Sequence, residues 1–371
     1  MIPQNDFKRQ WQQVEHAVLS AVKRVGASGW YVLGQEVEKF EQALAAMWGV
    51  DQAIGVANGM DALEIGLRCL DLRAGEKVLT TPLSAFATTL AIIRAGGVPV
   101  FVDVDGRGGI DLQQCRALLQ RDRSIRFLVP VHLYGFALDM QELASLKEEF
   151  DLLVVEDCAQ AIGASDRGIR VGTVGQVAAT SFYPTKNLGA LGDGGALLTN
   201  DAVIARRAKE VRNYGQSSPY VHSALGLNSR LDELHAAILG DAFLPNLRAW
   251  TEARSRTAQT YLDEIKHPLI ELPAPTAGSL PVWHIFPAKI RQGKRDHLRE
   301  HLHSEGIITA IHYPQTIPEQ PALGHCDRYE VAADGIKARQ ITASELSLPI
   351  HPFLTEQEIR VVIDACNRWP A

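Results

Sequence analysis

Between Gln52 and Asn200 the chain alternates short, β-branched apolar runs with longer segments of helical period, and few folds accommodate that pattern. AIGVAN gives way to GMDALEIGLRCL, in which Ala62, Ile65, Gly66 and Cys69 share one face at three-to-four spacing. KVLTT leads into SAFATTLAIIRAG, VPVFVDV into DLQQCRALL, and IRFLVPV into LDMQELASLKEEF; DLLVVED follows. Strands that are apolar almost throughout, each followed by a helix, predict a parallel sheet covered on both faces, which is α/β architecture. ATSFYP and GGALLTN read as two further strands flanking a Gly-rich loop.

The pattern changes after Trp250. The proline-rich stretch HPLIELPAPTAGSLPVW predicts a connection into a smaller α+β domain, with FPAKI a strand and RDHLREHLHSEG a helix ended by Gly306. TEQEIRVVIDACNRW predicts a last helix capped by Thr355. Two domains are expected, residues 1–250 with an N-terminal helical segment EVEKFEQALAAMWG, and residues 251–371. With 46% apolar and 22% charged residues, the chain is neither disordered, collagenous nor a coiled coil. A net charge of −6 argues against nucleic acid as a partner. The polar N-terminus lacks the apolar core of a signal peptide, and no apolar stretch is long enough for a membrane span. Five scattered cysteines (Cys69, Cys115, Cys158, Cys326, Cys366) without CxxC spacing read as reduced thiols of a cytoplasmic protein, with no metal site expected.

Ligands of open α/β sheets sit beyond the carboxyl ends of the strands, and four motifs fall there. In VANGMDAL, Asn58-Gly59-Met60 marks a strand-to-helix junction, where free backbone N–H groups suit a phosphate; a plain N-cap is the competing reading. In VVEDCAQAIGA, Asp157 ends an apolar strand, where an ionised carboxylate needs a partner such as a pyridinium N–H; capping of the strand end is the alternative. Gln160 reaches the same place, Glu156 should point to the opposite face, and Cys158 lacks the base a nucleophile requires. In SFYPTKNLGALGDGG, Ser181 can donate to a phosphate oxygen, and Lys186 follows a strand directly. Pro184, Gly189, Gly192, Gly194 and Gly195 around it would let backbone approach a flat ligand. A lysine in such a pocket, with its pKa lowered by its surroundings, has the character of a Schiff-base lysine of pyridoxal 5′-phosphate (PLP) chemistry. In GLNSRLDELHAAIL, Asn228 and Arg230 offer a neutral donor and a cation ahead of a helix.

Together these segments resemble the DegT/DnrJ/EryC1/StrS family of PLP-dependent sugar aminotransferases, of fold type I, over most of the chain from EVEKFEQALA to SLPIHPFLTEQEI. The resemblance implies an aspartate aminotransferase-like fold whose large domain carries a mostly parallel central sheet. It implies that Lys186 is the catalytic residue and binds PLP covalently, with Asp157 paired to the ring nitrogen and Gln160 against the ring or its phenolic oxygen. Phe86 would stack on the ring. Gly59, Met60 and Ser181 would hold the phosphate, and Asn228 would reach the phosphate in a neighbouring subunit, so that a homodimer has composite sites. Met60 stands where many relatives have a small hydroxyl residue, which removes one phosphate donor. The implied reaction moves an amino group from an amino acid, glutamate by expectation, to a nucleotide-linked keto sugar. The substrate subgroup most similar is the dTDP-3-keto-6-deoxyhexoses, with a keto-inositol or a non-catalytic PLP-binding role as alternatives. Tyr183, His312 and Tyr313 would lie near the sugar or pack as ordinary aromatics. Arg230 would hold either a donor carboxylate or a nucleotide phosphate.

Overall fold

The computed structural model describes residues 1–324 and 328–370. Cys326 therefore lies outside the described residues.

Seven strands form most of one sheet: β1 (Gln52–Val56), β2 (Lys77–Thr80), β3 (Val98–Phe101), β4 (Phe127–Val129), β5 (Leu153–Asp157), β6 (Val177–Ser181) and β7 (Gly195–Thr199). Helices follow the early strands: α1 (Phe7–Ser28) and α2 (Gln35–Trp48) precede β1, and α3 (Gly59–Cys69), α4 (Phe86–Arg94), α5 (Leu112–Arg121) and α6 (Met140–Phe150) connect β1 through β5. The spatial order is β1-β7-β6-β5-β4-β2-β3, parallel except for β7, which runs against both β1 and β6. The carboxyl ends of β1, β2, β4, β5 and β6 thus open on one edge of the sheet.

Strand alternation divides the core. Ala53, Leu79, Leu128, Val154 and Ala178 pack on the side of α1, α2, α5 and α6, whereas Ile54, Val78, Phe127, Val155 and Val177 pack under α3, α4 and the later helix α7 (Ala202–Val211). Burial on both faces is why these strands read as continuous apolar runs.

After α8 (Glu233–Ile238), α9 (Leu247–Glu264) carries the chain to a three-stranded antiparallel sheet of β8 (Ile270–Glu271), β9 (Phe286–Ile290) and β11 (Glu345–Leu348). It packs with α10 (Arg295–Ser304), α11 (Ile336–Ser344) and α12 (Glu356–Arg368) around Tyr261, Phe286, Leu298 and Leu346. Thr355 caps α12 in a reciprocal capping box with Glu358.

Three features differ from the sequence expectation. Helix α1 was not foreseen; its buried face is Val14, Val18, Ala21 and Val25. The chain crosses between its two regions more than once. Ile2 pairs with Ile307, Gln4 donates to the carbonyls of Ile308 and Ser347, and β10 (Glu330–Val331) adds to the edge of the large sheet beside β3. The glycines after Lys186 serve packing of the chain on itself: a Cβ at Gly195 would come within 2.4 Å of the Asn58 carbonyl carbon, and one at Gly189 within 2.4 Å of the Pro184 oxygen. No described helix is long and apolar enough to cross a membrane.

Candidate active site

At the carboxyl end of β5 the two acids diverge, as a period of two requires. Glu156 turns towards the α6 side and accepts from His132 Nε2 (2.9 Å) and from the backbone of Gly172, Val174 and Gly175 (2.7, 2.9 and 2.5 Å). Burial alone would raise its carboxyl pKa; His132 and the backbone donors outweigh that and hold it below the ordinary range. His132 Nδ1 accepts from the Leu138 N–H (3.2 Å), so the proton sits on Nε2. Cys158 lies close to this pair, with donor atoms within 4.8 Å of one another, yet the hydrogen bonds already occupy both His132 nitrogens. Burial pushes the Cys158 thiol well up, which disposes of it as a nucleophile.

Asp157 faces the other way, towards α4. Its Oδ2 accepts from Thr88 Oγ (2.8 Å) and its Oδ1 from the Ala159 N–H (3.1 Å). Thr88, itself touching Ser84 Oγ (3.0 Å), was missed in the sequence; its only signal was its position two residues past Phe86 at the start of α4. Phe86 is half-buried against Phe101, Ile317 and Leu323.

Lys186 lies in the loop after β6, its backbone N–H bonded to the Tyr183 carbonyl (2.8 Å). Burial lowers its amine pKa from 10.5 to about 8, against the opposing pull of the Asp157 charge. Beside it, Ser181 Oγ accepts from the Tyr183 N–H (3.2 Å), which leaves the hydroxyl proton free to donate, while the Tyr183 ring is exposed.

At the strand-to-helix junction the N-cap of the competing reading is formed. Asn58 caps α3 by accepting from the Asp61 N–H (2.8 Å). Gly59 and Met60, the first two helical residues, retain N–H groups with no intrahelical acceptor, at the positive end of the helix. A Cβ at Gly59 would lie 2.7 Å from Ser181 Cβ, so glycine is what lets the helix start abut the end of β6.

A second layer closes over Gln160. Its Oε1 accepts from the Tyr134 N–H (2.7 Å) and its Nε2 donates to Tyr313 Oη (3.0 Å). Tyr134 adopts a left-handed φ of 61°, a conformation concentrated at functional sites, and its hydroxyl donates to the His312 carbonyl. His312 and Tyr313, contributed from beyond α10, therefore join the Gln160 layer. Burial and the nearby Lys186 lower the His312 pKa to about 4. Asn228 and Arg230 do not join this group within one chain. Asn228 is exposed and bridges through its backbone to Asn213; Arg230 donates to Asn213 Oδ1 (2.9 Å) and lies over the Tyr214 ring.

Residues 12–367 match the DegT/DnrJ/EryC1/StrS aminotransferase family. The dTDP-3-amino-3,4,6-trideoxy-alpha-D-glucose transaminase of Streptomyces venezuelae is 40% identical over 99% of this chain and 96% of its own. The dTDP-3-amino-3,6-dideoxy-alpha-D-galactopyranose transaminase of Aneurinibacillus thermoaerophilus is 39% identical over 100% of this chain and 99% of its own. Among solved structures, S. venezuelae DesV in complex with a ketimine intermediate superposes with a TM-score of 0.94 at 39% identity, covering 99% of this chain and 98% of that one. The chain belongs to the DegT/DnrJ/EryC1/StrS aminotransferase family.

Proposed function

We propose that this member of the family is a PLP-dependent aminotransferase that moves an amino group from an amino acid, glutamate in our reading, onto a dTDP-linked 3-keto-6-deoxyhexose. One observation carries the reading: an amine of lowered pKa, Lys186, placed under the charge of a strand-end carboxylate, Asp157, that is itself held by Thr88. The donor set fits PLP. Asp157 suits the ring nitrogen, Phe86 a ring face and Gln160 a ring edge. The Gly59 and Met60 N–H groups with the Ser181 hydroxyl suit a phosphate.

Bound PLP supplies the aldehyde that exchanges amines and a ring that accepts electrons. Lys186 supplies the proton transfers. With a pKa of about 8 its Nζ is partly neutral near physiological pH, so it can take the proton from Cα of the donor amino acid and later return one to the sugar carbon that receives the amine. Thr88 and the Ala159 N–H fix the Asp157 carboxylate with both oxygens engaged, which keeps it oriented without neutralising it. Tyr134, Gln160, Tyr313 and His312 form a connected wall on which the sugar would rest.

The active unit in this reading is a homodimer. Tyr220 is 93% and Leu225 92% exposed on the 214–228 segment, and Trp30 and Tyr31 are also exposed. Apolar surface of this kind favours a protein partner, and a second copy would bring Asn228 of the partner subunit to the phosphate. The test is to load the enzyme with amine from glutamate and offer it dTDP-3-keto-6-deoxyglucose or scyllo-inosose. Amination of the dTDP sugar supports the proposal; amination of the inosose alone, or of neither, overturns it.

A further inference from the structure

Behind His312 lie two side chains, Ser347 and Glu345, that no step of the proposed reaction uses. His312 Nδ1 is 2.8 Å from Ser347 Oγ, and Ser347 Oγ bonds in turn to Glu345 Oε1. The other carboxyl oxygen, Oε2, accepts from the His312 backbone N–H (2.6 Å). Glu345 and Ser347 are fully buried on β11, and among the described residues no cation bonds to the carboxyl. The opposite ring edge of His312, Nε2, has no hydrogen bond among the described residues.

We propose that Glu345, acting through Ser347, sets which ring nitrogen of His312 carries the proton, and so whether Nε2 donates or accepts a hydrogen bond towards the substrate. The part concerning the substrate rests on the aminotransferase reading above; the coupling itself does not.

The bonding leaves two self-consistent arrangements. With Glu345 ionised, the Ser347 hydroxyl donates to Oε1, the Ser347 oxygen accepts from Nδ1–H, and Nε2 is left with its lone pair. With Glu345 protonated, Oε2 still accepts from the His312 backbone, Oε1–H donates to Ser347, the hydroxyl turns to donate to Nδ1, and Nε2 carries the hydrogen. Passing from the second state to the first releases one proton from Glu345 to solvent. The single ring proton moves from Nε2 to Nδ1 by way of solvent, so the imidazole stays neutral.

The surroundings place this exchange in an accessible range. Burial raises the Glu345 carboxyl pKa to about 8, opposed by Ser347, the His312 N–H and the charge of Arg295. His312, held near 4, remains neutral throughout, so the tautomer is the variable that is left. Other groups face the chain as well. Lys186 and His284 act electrostatically around His312, and Tyr134 and Tyr313 lie near Glu345. Arg107, Lys289 and Glu271 line the cavity on the far side of Glu345. Lys186 titrates in the same range as Glu345, so the test has to separate the two.

Holoenzyme labelled with 15N-histidine, with the His312 signals assigned from a His312→Asn variant, reports the tautomer directly between pH 6.5 and 9.5 without any sugar present. Wild type should pass from Nε2–H to Nδ1–H, with the Nε2–H fraction falling about tenfold from pH 7 to 9. E345Q should hold Nε2–H across the range, since its amide NH2 donates to Ser347 while its carbonyl still accepts from the His312 N–H, and Lys186 is untouched. Ser347→Ala, the second variant, should lose the coupling. A wild-type tautomer that does not change with pH, an E345Q protein that titrates like wild type, or a Ser347→Ala protein that keeps the switch would each overturn the proposal. A folded enzyme that switches its tautomer but aminates no sugar would instead count against the proposed function alone.

Discussion

The lowered pKa of Lys186 makes a quantitative prediction about how the protein acquires its cofactor. Covalent attachment of PLP needs the neutral amine. An ordinary lysine with a pKa of 10.5 is neutral in only about one molecule in a thousand at pH 7.5, whereas one at about 8 is neutral in roughly a quarter. Attachment to Lys186 should therefore be about 200-fold faster at that pH than to an unperturbed lysine of equal access. The sign follows from the cause: burial penalises the ammonium form, and the Asp157 charge partly restores it. Removing that charge should lower the pKa further. The assay is reconstitution of apoenzyme with PLP, followed by absorbance, as a second-order rate against pH. The rate should level off above a midpoint near 8 in wild type and at lower pH in Asp157→Asn. A rate that still climbs steeply past pH 9.5, or a midpoint that rises in Asp157→Asn, would refute the reasoning.

Three further consequences can be checked separately. Thr88→Val keeps the shape of the side chain and deletes the 2.8 Å bond to Asp157; a hydrogen bond to a charged group contributes about 1.5–3 kcal/mol. The expected loss is therefore roughly 10–100-fold in kcat/KM from steady-state kinetics, and an unchanged value would remove Thr88 from the site. Glu156→Ala strands the His132 Nε2–H and three backbone N–H groups, so denaturant unfolding should show a loss of about 3–5 kcal/mol at neutral pH. Because the folded pKa of Glu156 is depressed, that difference should be present above its ordinary value of 4.5 and shrink as pH falls below it; a loss that is the same at acid pH contradicts the assignment. Finally, Lys186→Ala and Asn228→Ala proteins, each inactive alone, should regain about a quarter of wild-type activity when unfolded together and refolded. Half of the dimers would then be mixed, each with one of its two sites intact. No recovery would mean that Asn228 does not act across the dimer.

What could be read from the sequence was what repeats locally. The βα alternation from Gln52 onward exposes the sheet, and a period of two suffices to separate Glu156 from Asp157 on opposite faces. Helix α1 escaped because its buried stripe is three valines and an alanine in an otherwise polar segment. β-Branched residues are modest helix formers, so the pattern is faint. The glycines near Lys186 could be seen, but not their purpose: Gly195 makes room for Asn58, far away in sequence, and Gly189 for the Pro184 carbonyl of a turn whose shape the spacing does not give. The supporting residues were invisible because their partners are distant in the chain. Thr88 lies 69 positions from Asp157, and Glu345 33 positions from the His312 it binds, and neither spacing carries a signal in one sequence. Arg230, read as a cation for a donor carboxylate or a nucleotide phosphate, donates to Asn213 Oδ1, a partner 17 positions away that its spacing does not reveal.

The bond between Lys186 and PLP is tested most directly by reducing the purified holoenzyme with borohydride, digesting it, and mapping the pyridoxyl adduct by mass spectrometry. A single modified peptide is expected, the one that contains SFYPTKNLGALGDGG, with the adduct on Lys186. An adduct on any other lysine, or none in protein purified with PLP present, would contradict it.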